Sequence, residues 1–304
     1  MKKYTIAIAI ILAVVSGIFL WQWDDLHTTN PGSLEALRSS FRWKADHEGL
    51  VSAHRGGPEP GFPENCLATF EKQLSRGPVL IECDIRKSKD GRLLLMHDAD
   101  VDRSTNGKGL VTALTWAELE ALQLRDEQGR ITDFRIPDFT STLQWADDKA
   151  LLTLDIKEGV SLAEVLKVVD ATGTEDQVII ITYSLEEALR AHEEAPDYLL
   201  SVGISSVEEL GRYLDAGIPA SHMLAFTGLT APGAPLLNAL HREGIMAMSG
   251  TFRTIDVLPK SDSRVDSYIN LFEKGLDIIA TDRPAEALRA SEKMDAPDSL
   301  AIAQ

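Results

Sequence analysis

The sequence predicts an α/β fold, a TIM (β/α)8 barrel, and three observations predict it. Eight short β-rich runs alternate with helical patterns between residues 50 and 282. Most of these runs are almost continuously apolar, which is typical of parallel strands that helices cover. No G-x-G-x-x-G sequence follows the first run, which disfavours a dinucleotide-binding sheet. Eight strands over roughly 240 residues therefore fit a closed barrel better than an open doubly wound sheet.

Each predicted strand is bounded by helical patterns or turn residues, and several of the helical patterns end in glycine, as helix C-caps commonly do. The predicted strands are “LVSAH” (50–54), “VLIECDIR” (79–86), “LLTLDIK” (151–157), “VIIITYS” (178–184), “YLLSVGIS” (198–205), “MLAFTG” (223–228), “IMAMSG” (245–250) and “DIIATD” (277–282).

A β-hairpin interrupts the alternation after the second strand. “RLLLMHD” follows “IECDIR” after only “KSKDG”, which is too short for a crossover between parallel strands. Asp90-Gly91 is a hairpin signal, so the run is expected to return antiparallel above the barrel. If the turn centres on Lys89 and Asp90, Glu82 lies opposite His97. Residues 99 to about 140 are then an insertion into the barrel.

The N-terminus carries the signs of a transmembrane helix. The run from Tyr4 to Trp21 has 18 residues without a charge, which just reaches the length of a membrane-spanning helix. It follows two lysines and ends in tryptophans typical of a membrane interface. We predict an uncleaved signal anchor over 1–23 rather than a cleaved signal peptide. The lysines should stay in the cytoplasm, which places the rest in the periplasm or outside the cell.

The remaining boundaries follow from composition. Residues 24–48 are polar and contain a short amphipathic pattern opened by Ser33, so we predict a tether with one short helix. The barrel is expected over 49–290 and a flexible tail over 291–304.

Charge and cysteine content exclude some classes of protein. A formal net charge of −17 argues against nucleic-acid binding. An anionic substrate would need a local positive centre, such as a metal ion or an arginine. Cys66 and Cys83 permit one disulfide in an oxidising compartment, although two separate, partly buried thiols are the simpler interpretation.

Two carboxylates on the second strand indicate a metal site. Glu82 and Asp84 lie on the same face of the strand, whereas Cys83 faces the helices. Two inward carboxylates repel each other and lose solvation, so a cation must compensate them. Carboxylates suit Mg²⁺ or Ca²⁺. Asp155 on the next barrel strand is a third candidate ligand, with Lys157 on the same face.

Two histidines and an arginine are expected at the same end of the barrel. His54 and Arg55 follow the first strand, where the chemistry of such barrels concentrates, and the hairpin returns His97 beside the carboxylates. This set suits displacement at phosphorus. The cation and Arg55 would stabilise phosphoryl charge, while the histidines transfer protons.

These residues also carry a resemblance. The chain resembles the glycerophosphodiester phosphodiesterase family in order from about residue 50 to 285. The matching motifs are “HRGG” (54–57), “PEN” (63–65), “ECD” (82–84), “MHD” (96–98), “DRSTNGKG” (102–109), “IPDF” (136–139), “DIK” (155–157) and “TDRP” (281–284).

The resemblance implies a TIM barrel with an insertion that hydrolyses a glycerophosphodiester to glycerol 3-phosphate and an alcohol. It also implies a role for each matching residue. A divalent cation would bind Glu82, Asp84 and Asp155, His54 and His97 would be the acid–base pair, and Arg55 and Lys157 would contact the phosphate.

The chain departs from the family pattern at three positions. Asp155 stands where the family usually has glutamate, and Cys66 stands where it usually has threonine. “IMAMSGTF” lacks the usual tryptophan near the C-terminus. Phe226 and Phe252 are candidates for the missing aromatic wall, although ordinary packing is expected of each. Glu64 is expected either to orient the site or to interact with the dipole of the helix that begins near Asn65.

Two alternative functions stay open at this point. One is a phospholipase D-like activity on lysolipids or sphingolipids, which is found on a related barrel with two histidines and acidic metal ligands. The other is a catalytically silent barrel that binds phosphodiesters or lipid headgroups. Two proton-transfer groups argue against the silent barrel, since a binding protein does not need them. The other five histidines (27, 47, 192, 222 and 241) have no expected catalytic role.

Overall fold

Eight parallel strands close into a barrel in the computed structural model, which describes residues 31–259 and 262–295. Each strand pairs with the next, and the last pairs with the first, with Leu50 opposite Ile278. The predicted TIM barrel and its eight strands are confirmed. The strands are β1 (Leu50–Ala53), β2 (Leu80–Lys87), β6 (Leu152–Ile156), β7 (Val178–Thr182), β8 (Leu199–Gly203), β9 (Met223–Phe226), β10 (Ala247–Gly250) and β11 (Ile278–Thr281).

Helices follow the strands and cover the barrel. Three of the helices that follow barrel strands have a serine N-cap, Ser161, Ser184 or Ser206, whose side chain accepts a hydrogen bond from the backbone N–H three residues later. The α-helices are α1 (Leu34–Ser40), α2 (Leu67–Leu74), α3 (Trp116–Glu120), α4 (Phe139–Ala146), α5 (Leu162–Thr172), α6 (Leu185–Glu194), α7 (Val207–Asp215), α8 (Ala234–Arg242), α9 (Asp262–Glu273) and α10 (Pro284–Asp295).

The predicted hairpin is present, but its predicted register is wrong by one residue. β3 (Leu93–Leu95) runs antiparallel to β2, with Lys87 opposite Leu93. The turn has three residues rather than two, because the Ser88 N–H donates to the Arg92 carbonyl and Gly91 takes φ +86°. Pairing therefore centres on Asp90, and Glu82 does not lie opposite His97. The chain instead leaves the sheet after Leu95 and carries His97 to the mouth of the barrel.

The insertion predicted near 99–140 is a small unit above the barrel. It contains α3 and an antiparallel pair, β4 (Gln123–Arg125) and β5 (Ile131–Arg135). It has a core of its own, formed with Cys66 and Met96 by Val101, Val111, Leu119, Leu124 and Ile136. The main chain returns to the barrel through α4.

The predicted tether helix closes the amino-terminal end of the barrel. Ser33 caps α1 by accepting a hydrogen bond from the Ala36 N–H. Leu37 and Phe41 are buried against Leu199, Leu224 and other residues at the starts of the strands. The short helix thus packs against the barrel core, as predicted.

Three predictions concern the termini and the cysteines. The predicted anchor, 1–23, lies outside the described residues. Within 31–259 and 262–295, no helix is long and apolar enough to cross a membrane. α10 extends to Asp295 and so covers the start of the predicted tail, whose remainder is not described. Cys66 and Cys83 are buried free thiols, so the alternative of a disulfide is wrong.

Candidate active site

Three carboxylates meet at the carboxyl-terminal end of the barrel. Glu82 and Asp84 belong to β2, and Asp155 lies directly opposite Asp84 on β6. Each residue offers one carboxylate oxygen, and these oxygens lie within 4.8 Å of one another. All three side chains are buried, and Asp84 is only 1% exposed. The predicted acidic cluster is therefore present, and its charges need compensation.

Lys157 and Asn65 compensate part of this charge. The Lys157 Nζ lies 2.7 Å from an oxygen of Asp84 and 2.5 Å from the Oδ2 of Asp155. Asn65 donates from its side-chain amide to Asp84 at 2.6 Å and accepts the Asp84 N–H at 2.9 Å. Burial alone would raise the pKa of Asp84, but the ion pair with Lys157 outweighs it and lowers that pKa.

The compensation of these carboxylates is incomplete. Burial and the neighbouring Asp84 carboxylate raise the pKa of Glu82 to about 8, although Glu82 accepts the Arg55 N–H at 2.5 Å. The Asp155 Oδ1 is buried and has no hydrogen-bond partner among the described residues. Buried, oxygen-only and short of positive charge, these three residues fit a hard divalent cation.

The “HRGG” segment is shaped by its two glycines. Arg55, Gly56 and Gly57 are consecutive left-handed residues with φ of 51°, 81° and 71°. A Cβ on Gly56 would lie 2.1 Å from the ring of Phe70, and one on Gly57 would lie 2.4 Å from a proline. Only glycine fits these two positions. The turn they allow aims the Arg55 N–H at the acidic cluster.

His54 is held on both sides. Its Nδ1 lies 2.7 Å from the Oδ1 of Asp282, and its ring stacks on Phe252 with 4.3 Å between ring centroids. Burial lowers the pKa of His54, but the hydrogen bond to Asp282 and the charge of Glu82 outweigh it and raise that pKa. Because Nδ1 binds the carboxylate, Nε2 is the nitrogen available for proton transfer.

His97 is held in the same way by a different carboxylate. Its Nδ1 lies 2.8 Å from Asp98, whose other oxygen lies 2.6 Å from the Nε of Arg103. Arg103 in turn binds both oxygens of Glu64, at 2.6 and 2.9 Å. The arginine and the histidine together lower the pKa of Asp98 to about 2, despite its partial burial.

Glu64 links this chain of contacts to the first strand. It lies 3.4 Å from the Nη1 of Arg55 as well as binding Arg103. α2 begins at Leu67, and its N-cap is Cys66, without a side-chain capping bond. Glu64 therefore pairs with both arginines, as expected of a residue that orients the site.

Several residues at the site were not assigned roles from the sequence. Tyr183 directly follows β7 and donates its hydroxyl to the Asp155 Oδ2 at 2.6 Å. Burial and the charge of Asp155 raise the pKa of Tyr183, so the hydroxyl is protonated. Asp282 directly follows β11. A polar residue immediately after a barrel strand was the available signal for both. Asp98 and Arg103 lie in the matching motifs “MHD” and “DRSTNGKG”, which gave neither residue a role.

These groups surround one cavity of about 870 Å³ at the mouth of the barrel. Seven of the eight predicted site residues line it, and Asp84 lies behind them. The seven are His54, Arg55, Glu64, Glu82, His97, Asp155 and Lys157. Phe226 and Phe252 pack against the barrel core, as expected, and both also line the cavity. His27 is outside the described residues, and none of the other four histidines lines this cavity.

Several known proteins are similar to this chain in sequence and fold. The model of the Glycerophosphoryl diester phosphodiesterase family matches residues 54–286. The uncharacterized protein YqiK of Bacillus subtilis is 30% identical over 247 residues, covering 78% of this chain and 96% of that protein. A glycerophosphodiester phosphodiesterase of Bacillus altitudinis is 27% identical over 259 residues, covering 80% and 98%.

A solved structure agrees with both. The crystal structure of a glycerophosphoryl diester phosphodiesterase from Parabacteroides distasonis is 34% identical and superposes with a TM-score of 0.83. The match covers 88% of this chain and 94% of that one. The chain therefore belongs to the glycerophosphoryl diester phosphodiesterase family of hydrolases.

Proposed function

We propose that the chain hydrolyses glycerophosphodiesters to glycerol 3-phosphate and an alcohol, with a divalent cation, Mg²⁺ or Ca²⁺, and with His54 and His97 as the acid–base pair. One observation carries the proposal. Two histidines, each bound at Nδ1 by a carboxylate, line the same cavity as a buried cluster of three carboxylates.

The acidic cluster would bind the cation, and the basic residues would bind the phosphoryl oxygens of the phosphodiester. Glu82, Asp84 and Asp155 would hold the cation, which when bound supplies positive charge that polarises the phosphoryl group. Arg55 and Lys157 line the cavity beside the cluster. The Arg55 Nε is buried without a hydrogen-bond partner in the described structure, so it is a donor available to a phosphoryl oxygen.

The two histidines would move the protons of the reaction. One accepts a proton from the attacking oxygen as that oxygen bonds to phosphorus, and the other donates a proton to the departing alcohol oxygen. Asp282 and Asp98 hold the rings in place and stabilise each imidazolium when it forms, as a carboxylate does for a catalytic histidine.

The substrate class follows from the relatives and the cavity. Both the Bacillus altitudinis relative and the Parabacteroides distasonis structure are named as glycerophosphodiester phosphodiesterases. Phe226 and Phe252 provide an aromatic surface in place of the missing tryptophan. The cavity also has apolar residues, Ile181, Ile204 and Leu229, and these favour lysolipids or sphingolipids as the second candidate substrates.

The location of the enzyme stays part of the proposal. The uncharged run from Tyr4 to Trp21 after two lysines supports a single N-terminal membrane anchor. The catalytic domain would then lie in the periplasm or outside the cell. Labelling a cysteine introduced at exposed Asp215 with a membrane-impermeant maleimide in intact cells tests this, and labelling only after lysis would contradict it.

An assay with controlled metal content tests the reaction. The purified full chain is treated with EDTA and assayed on glycerophosphocholine, glycerophosphoethanolamine and lysophosphatidylcholine, before and after Mg²⁺ or Ca²⁺ is restored. We expect turnover that EDTA abolishes and one of the cations restores. The absence of metal-restored turnover on any of these phosphodiesters would contradict the proposal.

Two substitutions test the histidines. His54→Ala and His97→Ala should each lower kcat by about 10²–10⁴-fold, the usual contribution of general acid–base catalysis. Cation affinity, measured by calorimetry, should change little because neither residue is a ligand. Near-normal turnover in either variant would contradict the assigned role.

A further inference from the structure

The two oxygens of the Asp155 carboxylate have different surroundings. Oδ2 receives two donors, the Lys157 ammonium at 2.5 Å and the Tyr183 hydroxyl at 2.6 Å. Oδ1 is buried and has no hydrogen-bond partner among the described residues. It is therefore the oxygen of Asp155 that is available to a cation shared with Glu82 and Asp84.

Tyr183 reaches this carboxylate from the neighbouring strand. Tyr183 is 68% exposed and lines the cavity, whereas its hydroxyl bonds to the buried Asp155. Its backbone N–H donates to the Glu187 carboxylate at 2.7 Å, which fixes the residue at the start of α6. The tyrosine is thus anchored at its backbone and spans from β7 to the side chain on β6.

We propose that Tyr183 is a positioning residue of the cation site, whose hydroxyl holds the Asp155 carboxylate with Oδ1 turned toward the ion and so strengthens cation binding. The inference rests on the proposed cation site and adds a residue to it. A carboxylate with two donors on one oxygen cannot rotate freely, so less ordering is needed when the ion binds. Hydrogen bonds to a metal ligand typically contribute 10–100-fold to metal affinity or activity.

Lys157 alone does not fix the orientation of the Asp155 carboxylate. Its ammonium also binds Asp84, at 2.7 Å, so it lies between two of the proposed ligands. Its position depends on the charges of both, and it moves if either carboxylate turns. Among residues 31–259 and 262–295, the Tyr183 hydroxyl bonds to Asp155 alone, and the aromatic ring sets its direction. Removing the hydroxyl therefore removes the contact that defines the orientation of this one ligand.

A matched pair of variants tests the inference. Tyr183→Phe removes the hydroxyl that binds Asp155. Tyr198→Phe removes a hydroxyl that is buried but has no hydrogen-bond partner in the described structure. Tyr198 lies just before β8 and therefore at the opposite end of the barrel. The full chain of each variant is freed of metal with EDTA, dialysed and titrated with CaCl₂ and MgCl₂ by calorimetry.

We expect the Kd of Tyr183→Phe for the cation to rise about 10–100-fold, while Tyr198→Phe binds as the wild type does. An unchanged or tighter Kd in Tyr183→Phe would overturn the inference, and tighter binding would mean that the hydroxyl competes with the ion. Wild-type protein that binds neither cation would instead overturn the proposed cation site itself. Urea unfolding of the metal-free variants shows that both are folded before titration.

Discussion

The two ends of the barrel both contain buried carboxylates and histidines, but in opposite balance. At the amino-terminal end one fully buried carboxylate, Asp277, faces two imidazoles. Its oxygens lie 2.8 Å from the Nε2 of His47 and 2.9 Å from the Nε2 of His241, and it also accepts the Ala247 N–H at 2.6 Å. At the carboxyl-terminal end three carboxylates lie together, and Lys157 pairs with two of them, Asp84 and Asp155.

The different ratios of carboxylates to cationic groups at the two ends shift the pKa values of Asp277 and Glu82 in opposite directions. Burial would raise the pKa of Asp277, but the hydrogen bonds to His241 and His47 outweigh it and lower that pKa. Burial and the Asp84 charge raise the pKa of Glu82 to about 8, and the nearby His54 and the Arg55 N–H lower it only in part. One end is thus built for stability, whereas the other retains unfavourable electrostatics that a bound cation can relieve. Strongly shifted pKa values in a cleft are typical of functional sites.

Glu82→Gln should show the largest effect and should change activity and stability in opposite directions. The folded pKa near 8 lies above the unfolded value, so the ionised carboxylate opposes folding increasingly as the pH rises from about 4.5 to 8. Glutamine removes this cost, on the order of 3–5 kcal/mol at pH 8, but it should weaken cation binding and turnover by more than about 100-fold.

Urea unfolding of the EDTA-treated wild type and variant at pH 5 and pH 8 measures the first effect. The variant should gain stability over the wild type mainly at pH 8. An equal difference at the two pH values would mean that Glu82 is already compensated. Added Ca²⁺ or Mg²⁺ should stabilise the wild type and leave Glu82→Gln almost unchanged.

Asp277→Asn should lower stability and leave activity unchanged, the reverse of Glu82→Gln. Removing the charge leaves two buried imidazoles without their anion, and breaking a buried ion pair from one side typically costs several kcal/mol. We expect a loss of about 3 kcal/mol in the free energy of unfolding at pH 6, with kcat unchanged well below the melting temperature. A large loss of kcat in folded protein would show that the two ends are coupled.

The sequence predicted most of the acidic cluster at the carboxyl-terminal end and little of the amino-terminal end. Glu82 and Asp84 share a face because side chains alternate along a strand. Asp155 joins them because β6 is the parallel neighbour of β2 in the barrel, with Asp84 opposite Asp155. Both facts follow from strand periodicity and topology, which are visible in the residues.

Other features depend on geometry that the sequence does not specify. The hairpin register differs from the predicted one by one residue because the turn includes Gly91 as a third residue, whereas the prediction centred it on Lys89 and Asp90. Tyr183 reaches Asp155 from a different strand, which depends on the stagger between β6 and β7. His47 forms an ion pair with Asp277, which lies 230 residues further along the chain, and no pattern in the polar segment around His47 predicts that contact.

Asp282→Asn tests the catalytic end without touching a proposed ligand. Asp282 accepts from the Nδ1 of His54, whereas an asparagine amide can donate to that nitrogen and favour the other tautomer. We expect kcat to fall about 10–100-fold with an unchanged cation Kd. The exposed Asp215→Asn is the matched control and should keep full kcat. Full activity of Asp282→Asn would show that the tautomer of His54 is set elsewhere.

His47→Gln should have the smallest effect on the free energy of unfolding, and the test is how that effect depends on pH. Burial lowers the pKa of His47, but the contact with Asp277 outweighs it and raises that pKa above 6.5. The protonated histidine therefore stabilises the fold fully below pH 6.5, and this contribution is lost as the pH rises through the raised pKa. We expect glutamine to cost about 1–2 kcal/mol at pH 6 and clearly less at pH 9, measured by urea unfolding. An equal cost at both pH values would mean that His47 contributes packing alone, and that His241 by itself balances Asp277.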